Sequence, residues 1–215
     1  MQSFIFLVVG LIQLSIAVYG TKQLRSHFNW YALLVLIVVY GLSYDNIVLA
    51  SGAVLGEGGT LKALHAPRFW VHALFTPAMI IAAFGALRMT GSNFGKSKTA
   101  HIVICVIATA LIALGSYIDI LKLDLVYESE SGIFKYVNQF VLMPGPPIPA
   151  VMTILFVLVF GVMMWRNIKW PWLFVGSLLM FIAAPMASIP IFQNVGEIAF
   201  AAGLVTTQIR AARGA

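Results

Sequence analysis

In WYALLVLIVVYGLSYDNIVLASGAV, residues 30 to 54, a long apolar run is broken by one charged side chain, Asp45, with Asn46 beside it. About 20 apolar residues in a helix cross the roughly 30 Å hydrocarbon core of a bilayer. The run therefore predicts a transmembrane helix. Asp45 is the anomaly, because an ionisable residue at mid-span costs roughly 2.5–3.5 kcal/mol on insertion scales. Such a residue is tolerated where it faces a partner or a cavity, so the helix is expected to face one.

The rest of the chain reads the same way. Its 215 residues are 61% hydrophobic and 9% charged, with a mean hydropathy of +0.97. A soluble domain carries about 25% charged residues. Apolar runs at about 3–20, 30–54, 69–88, 100–121, 147–165, 171–187 and 188–209 predict seven spans of about 20 residues each. The expected fold is all-α: a polytopic seven-helix membrane bundle forming a single domain over residues 1–215. The first run, MQSFIFLVVGLIQLSIAVYG, lacks a basic leader and an A-x-A site, so it reads as a helix and not a signal peptide. The last two spans are separated by APMASIPIF, where Pro185 and Pro190 bracket a tight turn. The lone Cys105 lies in mid-span and offers no disulfide within one chain.

The net charge of +6 is an orientation signal. Lys22, Arg25, Arg88, Lys96, Lys98, Arg166, Lys169, Arg210 and Arg213 fall in the first, third and fifth connections and the C-terminal tail. These regions share one side, which the positive-inside rule makes cytoplasmic. The N-terminus is then outside and the C-terminus inside. This distribution removes a nucleic-acid partner, and a bacterial cytoplasmic membrane is the expected location. All seven acidic residues lie in the outer half or beyond it.

Helical rise places the polar residues at similar depths. Counting 1.5 Å per residue, Asp45 lies about 22 Å above Trp30, His72 about 24 Å above Arg88, Glu197 about 20 Å above Arg210, and Asp119 about 27 Å above His101. Four ionisable groups on four helices thus share one slab below the outer interface. Arg68, His72 and Phe75 share one helix face. Gln193 and Asn194 stand one turn before Glu197, where both can flank its carboxyl group. Plainer roles exist: an Asp45–Arg68 ion pair joining two helix ends, a helix-to-helix hydrogen bond for His72, an interfacial Asp119 beside Lys122.

Residues 122–146 form the long outer connection. Ile133, Phe134, Val137, Phe140 and Val141 recur near helical spacing, predicting a short interfacial helix on the membrane or over the bundle mouth. PGPPIP then sets the start of the next helix, since proline suits a first turn. Tyr44, Phe69, Phe75 and Tyr117 lie near the polar slab and are the candidate pocket aromatics. Most other aromatics suit interfacial belts.

Several chemistries lack their residues. The last span has no lysine for a retinal Schiff base. Paired histidines for a haem are missing from the spans, and so is the histidine cluster of seven-helix zinc lipid hydrolases. No cofactor and no metal are expected. What remains is carboxyl groups in an apolar, aromatic chamber, able to protonate an alkene or epoxide and later remove a proton. With Asp45 in SYDNIVLASG and Glu197 in NVGEIAF, the chain resembles the small integral-membrane terpene cyclases of meroterpenoid and indole-terpenoid biosynthesis. That resemblance implies a seven-helix enzyme cyclising a prenyl chain, with two essential acids, here Asp45 and Glu197. Asn46, Arg68, His72, Asp119 and Asn194 would support them. The fungal members carry glutamate first and aspartate last; the order here is reversed, which leaves open which group is the acid. The expected partners are a lipophilic small molecule and membrane lipid. Two other readings stand beside this one: a transporter or lipid-binding protein, and a metal-dependent lipid hydrolase or phosphatase using Asp45, His72, Asp119 and Glu197.

Overall fold

The structure, a computed structural model, describes residues 2–130, 132–143, 145–186 and 190–214. In chain order it contains α1 (Gln2–Leu24), α2 (Trp30–Leu55), α3 (Gly59–Phe75), α4 (Ala78–Met89), the single turn α5 (Asn93–Lys96) and α6 (Lys98–Ser116). Strands β1 (Leu125–Glu130) and β2 (Ile133–Asn138) follow, then α7 (Ile148–Ile168), α8 (Trp172–Ala183) and α9 (Pro190–Ala212). Among the described residues, α1, α2, α6 and α7 are long and apolar enough to cross a membrane. α3 and α4, bent by 44° where they meet, form a fifth such element when taken together. α8 is apolar but shorter, and its 12 residues rise only about 18 Å. The turn expected between Pro185 and Pro190 falls largely outside the described residues.

Local chemistry sets the boundaries. The side chain of Asn29 caps α2 by accepting from the Ala32 amide at 2.9 Å, the usual first-turn device. α2 ends at Gly56, whose φ of 63° is the left-handed region glycine enters without strain. Pro77 lacks the N–H that would bond the Ala73 carbonyl, and the helix breaks there. α6 fits against that break: a Cβ on Gly115 would lie 3.2 Å from both Cα and O of Ala73. The third expected span begins ten residues earlier than hydropathy places it, at Gly59 instead of Phe69. Lys62, His65 and Arg68 lower its hydropathy without disfavouring a helix.

α4 is the hub of the bundle. It packs against α2, α6, α7 and α9, and nine of its twelve residues are buried. Around Ile80 and Phe84 gather Val35, Val39, Phe160, Leu204 and Val205 in one continuous core. α8 and α9 approach backbone to backbone, because a Cβ at Gly176 would stand 2.5 Å from the Ala199 oxygen and one at Gly203 2.6 Å from that of Trp172. Small residues at helix crossings are how membrane helices associate without a hydrophobic drive between them. Outward, Leu11, Ile102, Val106 and Val159 stand exposed, a perimeter suited to lipid and not to water.

The interfacial helix expected within residues 122–146 is replaced by a β-hairpin. β1 and β2 pair antiparallel from Leu125↔Asn138 to Glu130↔Ile133. Gly132, at φ 80°, supplies the left-handed residue that tight hairpins need. The segment is rich in β-branched and aromatic residues, and its partners match across the strands. Tyr127 meets Tyr136 edge to face at 5.5 Å, and Lys135 pairs with Glu128 at 3.6 Å. Such cross-strand pairs hold sheets together; the apparent helical spacing covered too few residues to compete. The start of α7 is as the prolines imply, with Pro147 at its cap and Pro149 in its first turn.

The hairpin lies on α2 at Gly52, where any Cβ would collide with the Phe134 carbonyl oxygen. Gly52→Leu is expected to lift the hairpin from the bundle while leaving the helices folded. Hydrogen exchange would then quicken at the β1 and β2 amides alone. Unchanged protection there would remove the docking role given to this glycine.

Candidate active site

Beneath the hairpin lies a cavity of about 660 Å³, within the usual range for small-molecule sites. α2 contributes Asp45 and Asn46 to its wall; α3 contributes Arg68, Phe69 and His72; the turn after α6 contributes Asp119; α9 contributes Asn194 and Glu197. The four ionisable groups expected to share a slab, Asp45, His72, Asp119 and Glu197, therefore line one chamber, together with Asn46, Arg68 and Asn194. The hairpin supplies Lys135, Tyr136 and Asn138, and Phe6, Leu49, Ile118, Phe140 and Ile148 give the wall its apolar character.

The two central carboxyl groups have different neighbours. Arg68 Nε donates to Asp45 Oδ1 at 2.5 Å, and both side chains are 13% exposed. This is the predicted ion pair, and it joins α2 to α3. Glu197 makes no ion pair among the described residues. Its Oε2 accepts instead from Asn46 Nδ2 at 3.1 Å and from Gln13 Nε2 at 3.3 Å. Gln193 and Asn194, expected to flank it, line the cavity but make no hydrogen bond to it. A position one turn away on the same helix gave proximity without the right direction.

Gln13 is the residue that sequence reasoning missed. It sits at 0% exposure in the middle of α1, bonded to both Asn46 and Glu197. The available signal was its place within VVGLIQLSIAV, an amide in an otherwise apolar span. An uncharged residue costs less to insert than Asp45 or Glu197, so its place in a span is a weaker sign of a buried partner.

Asp119 sits in a π-helical turn, Tyr117–Leu121, closed by the Lys122 amide donating to the Tyr117 carbonyl at 3.0 Å. Wide turns of this kind often occur at functional sites. Its partner is Asn138 and not Lys122: Asn138 Nδ2 donates to Asp119 Oδ1 at 3.1 Å and to the Ile118 carbonyl at 3.0 Å. Asn138 Oδ1 accepts from the amides of Asp124 and Phe140, tying the hairpin base to the end of α6. His72 bonds Thr76 on its own helix at 3.2 Å, so it is no helix-to-helix bridge and orients neither carboxyl group.

Three expected pocket aromatics lie elsewhere; only Phe69 of the four lines the wall. The Tyr44 hydroxyl donates to the Leu64 carbonyl at 2.8 Å and fastens α2 to α3. Phe75, last residue before the helix break, packs against the apolar core. Tyr117 is 42% exposed and meets Phe140 edge to face at 6.1 Å. In their place Tyr136 and Phe140 face the cavity. Tyr136 also holds the hairpin to the start of α3, accepting from the Gly58 amide at 3.2 Å.

Among the described residues no three His, Cys, Asp or Glu side chains gather as a metal-ligating group. Below the chamber the bundle centre is the apolar core around Val39, Ile80 and Phe84. The polar wall is thus confined to one end. Comparison with known protein families, with curated proteins and with solved structures returns no match.

Proposed function

We propose that this protein is a seven-span integral-membrane enzyme that cyclises a prenyl chain by proton transfer, similar in chemistry to the small membrane terpene cyclases. α3 with α4 is the third span, and α8 and α9 are the sixth and seventh. The N-terminus is outside and the basic connections are inside, in a bacterial cytoplasmic membrane. Two contacts support a common side for those connections. Asn167 in the last turn of α7 donates to Thr90 after α4 at 3.1 Å, and Arg213 just after α9 bonds Gln23 at the end of α1.

The observation that carries the reading is a pair of carboxyl groups in unlike charge settings on one largely apolar wall. Glu197, buried with neutral amide partners and with no ion pair among the described residues, has the surroundings of an acid that carries its proton. Asp45, matched by Arg68, has those of a carboxylate. Glu197 gives its proton to a terminal alkene or epoxide of a bound prenyl chain. The π electrons of a second alkene close the ring and leave a carbocation, which ring faces such as Phe69 and Tyr136 stabilise. Asp45 removes a proton from carbon to form the product alkene. The proton returns from Asp45 to Glu197 between turnovers, so nothing else is consumed and the product is an isomer of the substrate.

The test is mass spectrometry after incubation with farnesylated and geranylgeranylated acceptors and their epoxides. An isomeric product that disappears in both Asp45→Asn and Glu197→Gln supports the assignment. No isomer across the panel, with some other lipid being cleaved, refutes it.

A further inference from the structure

The amides beside Glu197 can be oriented in one way only. A backbone carbonyl only accepts, so the Asn46 group 3.1 Å from the Leu42 oxygen is its NH₂. The same NH₂ lies 3.0 Å from the Gln13 side chain, which must therefore present its oxygen. The Gln13 NH₂ is then turned toward Glu197 Oε2, where Asn46 directs a hydrogen as well. Two Asn46 hydrogens serve three acceptors, one of them shared.

Glu197 Oε2 thus receives N–H groups from two helices. A hydrogen placed on that oxygen would point into theirs. Oε1 has no hydrogen-bond partner among the described residues, and Glu197 lines the cavity. Gln13 is fully buried and is absent from the cavity wall, so it does not touch what binds there.

We infer that Gln13 is a positioning residue: together with Asn46 it confines the acid proton of Glu197 to Oε1 and aims it into the cavity. This rests on Glu197 being the acid of the proposed reaction. It also gives a reason for an amide in the middle of α1, where a leucine would insert more easily. A helix-to-helix hydrogen bond of purely structural value would explain the amide as well, and the two roles separate experimentally.

The experiment pairs infrared spectroscopy with kinetics. The carboxylic C=O band of Glu197 is identified as the one lost in Glu197→Gln. In Gln13→Met, which keeps the volume and apolar insertion of the span, that band should move to higher frequency because its oxygen loses a donor. Turnover should fall roughly a hundredfold through misdirection of the proton, with KM unchanged. A band that stays in place, or a shifted band with unaltered turnover, overturns the inference. If Gln13→Met does not fold, the wild-type band decides: it must lie at the low-frequency end expected for a doubly hydrogen-bonded acid, and a free-acid frequency overturns the proposal. Wild-type protein with no carboxylic band at this residue would remove the acid reading itself. A shifted band in a protein that cyclises nothing would support the aiming of the proton while removing the cyclase reaction.

Discussion

Glu197→Gln is expected to abolish turnover, by roughly 10²–10⁴-fold or more, the contribution usual for a positioned acid, while the protein melts as the wild type does. The second half of that expectation follows from the hydrogen bonds. Glutamine has the shape of glutamate, and its carbonyl oxygen can take the place of Oε2, still accepting from Gln13 and Asn46. Its NH₂ then occupies the position of Oε1 and offers hydrogens that it cannot release as an acid. Glu197→Leu is a useful contrast. It removes the acceptor and leaves the buried Gln13 NH₂ unpaired, at about 1–3 kcal/mol, while Asn46 keeps the Gln13 and Leu42 oxygens, so this variant should lose both activity and several degrees of thermal midpoint. Turnover by product mass and unfolding in detergent are the two measurements. Glu197→Gln protein that turns over normally would show that no proton leaves this residue.

The helices were largely legible because a bilayer leaves few options. A run of 20 or so apolar residues must satisfy its own backbone, so α1, α2, α6 and α7 follow almost directly from composition. Hydropathy could not see the length of α3, whose Lys62, His65 and Arg68 are polar yet helical, nor the hairpin. A strand of six residues carries a weak signal, and Ile133 and Val137 satisfy a helical spacing as well as a β pattern. The decisive cues were Gly132 and the Glu128–Lys135 match across the strands, which need a pairing hypothesis before they mean anything.

The site was legible in its charged members and opaque in its orientations. Depth along a helix follows from rise per residue, so Asp45, His72, Asp119 and Glu197 were expected together and lie on one wall. Rotation about each helix axis depends on packing that no single segment contains. That is why Asn194 neighbours Glu197 without bonding it, and why Tyr44 secures a helix pair when it was expected in the pocket. Gln13 marks the deeper limit. Its partners stand 33 and 184 residues away in sequence, and nothing local distinguishes it from a tolerated polar residue.

Arg68→Met is expected to destabilise the protein by about 3–5 kcal/mol, the cost of leaving a buried carboxylate without its partner. Arg68 and Asp45 are each 13% exposed and 2.5 Å apart, so water screens the pair poorly. Methionine keeps much of the side-chain volume and gives up only the charged group, including its place over the Phe69 ring. Asp45→Asn alone should cost a similar amount, because it strands the guanidinium. The double variant should recover most of both losses, since a neutral pair of this size has no charge left to compensate. A thermal or chemical unfolding cycle of the four proteins measures this. The result bears on chemistry as well as stability, because a carbocation survives only where water is excluded. A large coupling between Arg68 and Asp45 means that this wall is dry enough for the proposed reaction. If Arg68→Met unfolds like the wild type, water already reaches the pair, and a cation formed beside it would be captured as an alcohol before Asp45 could take its proton.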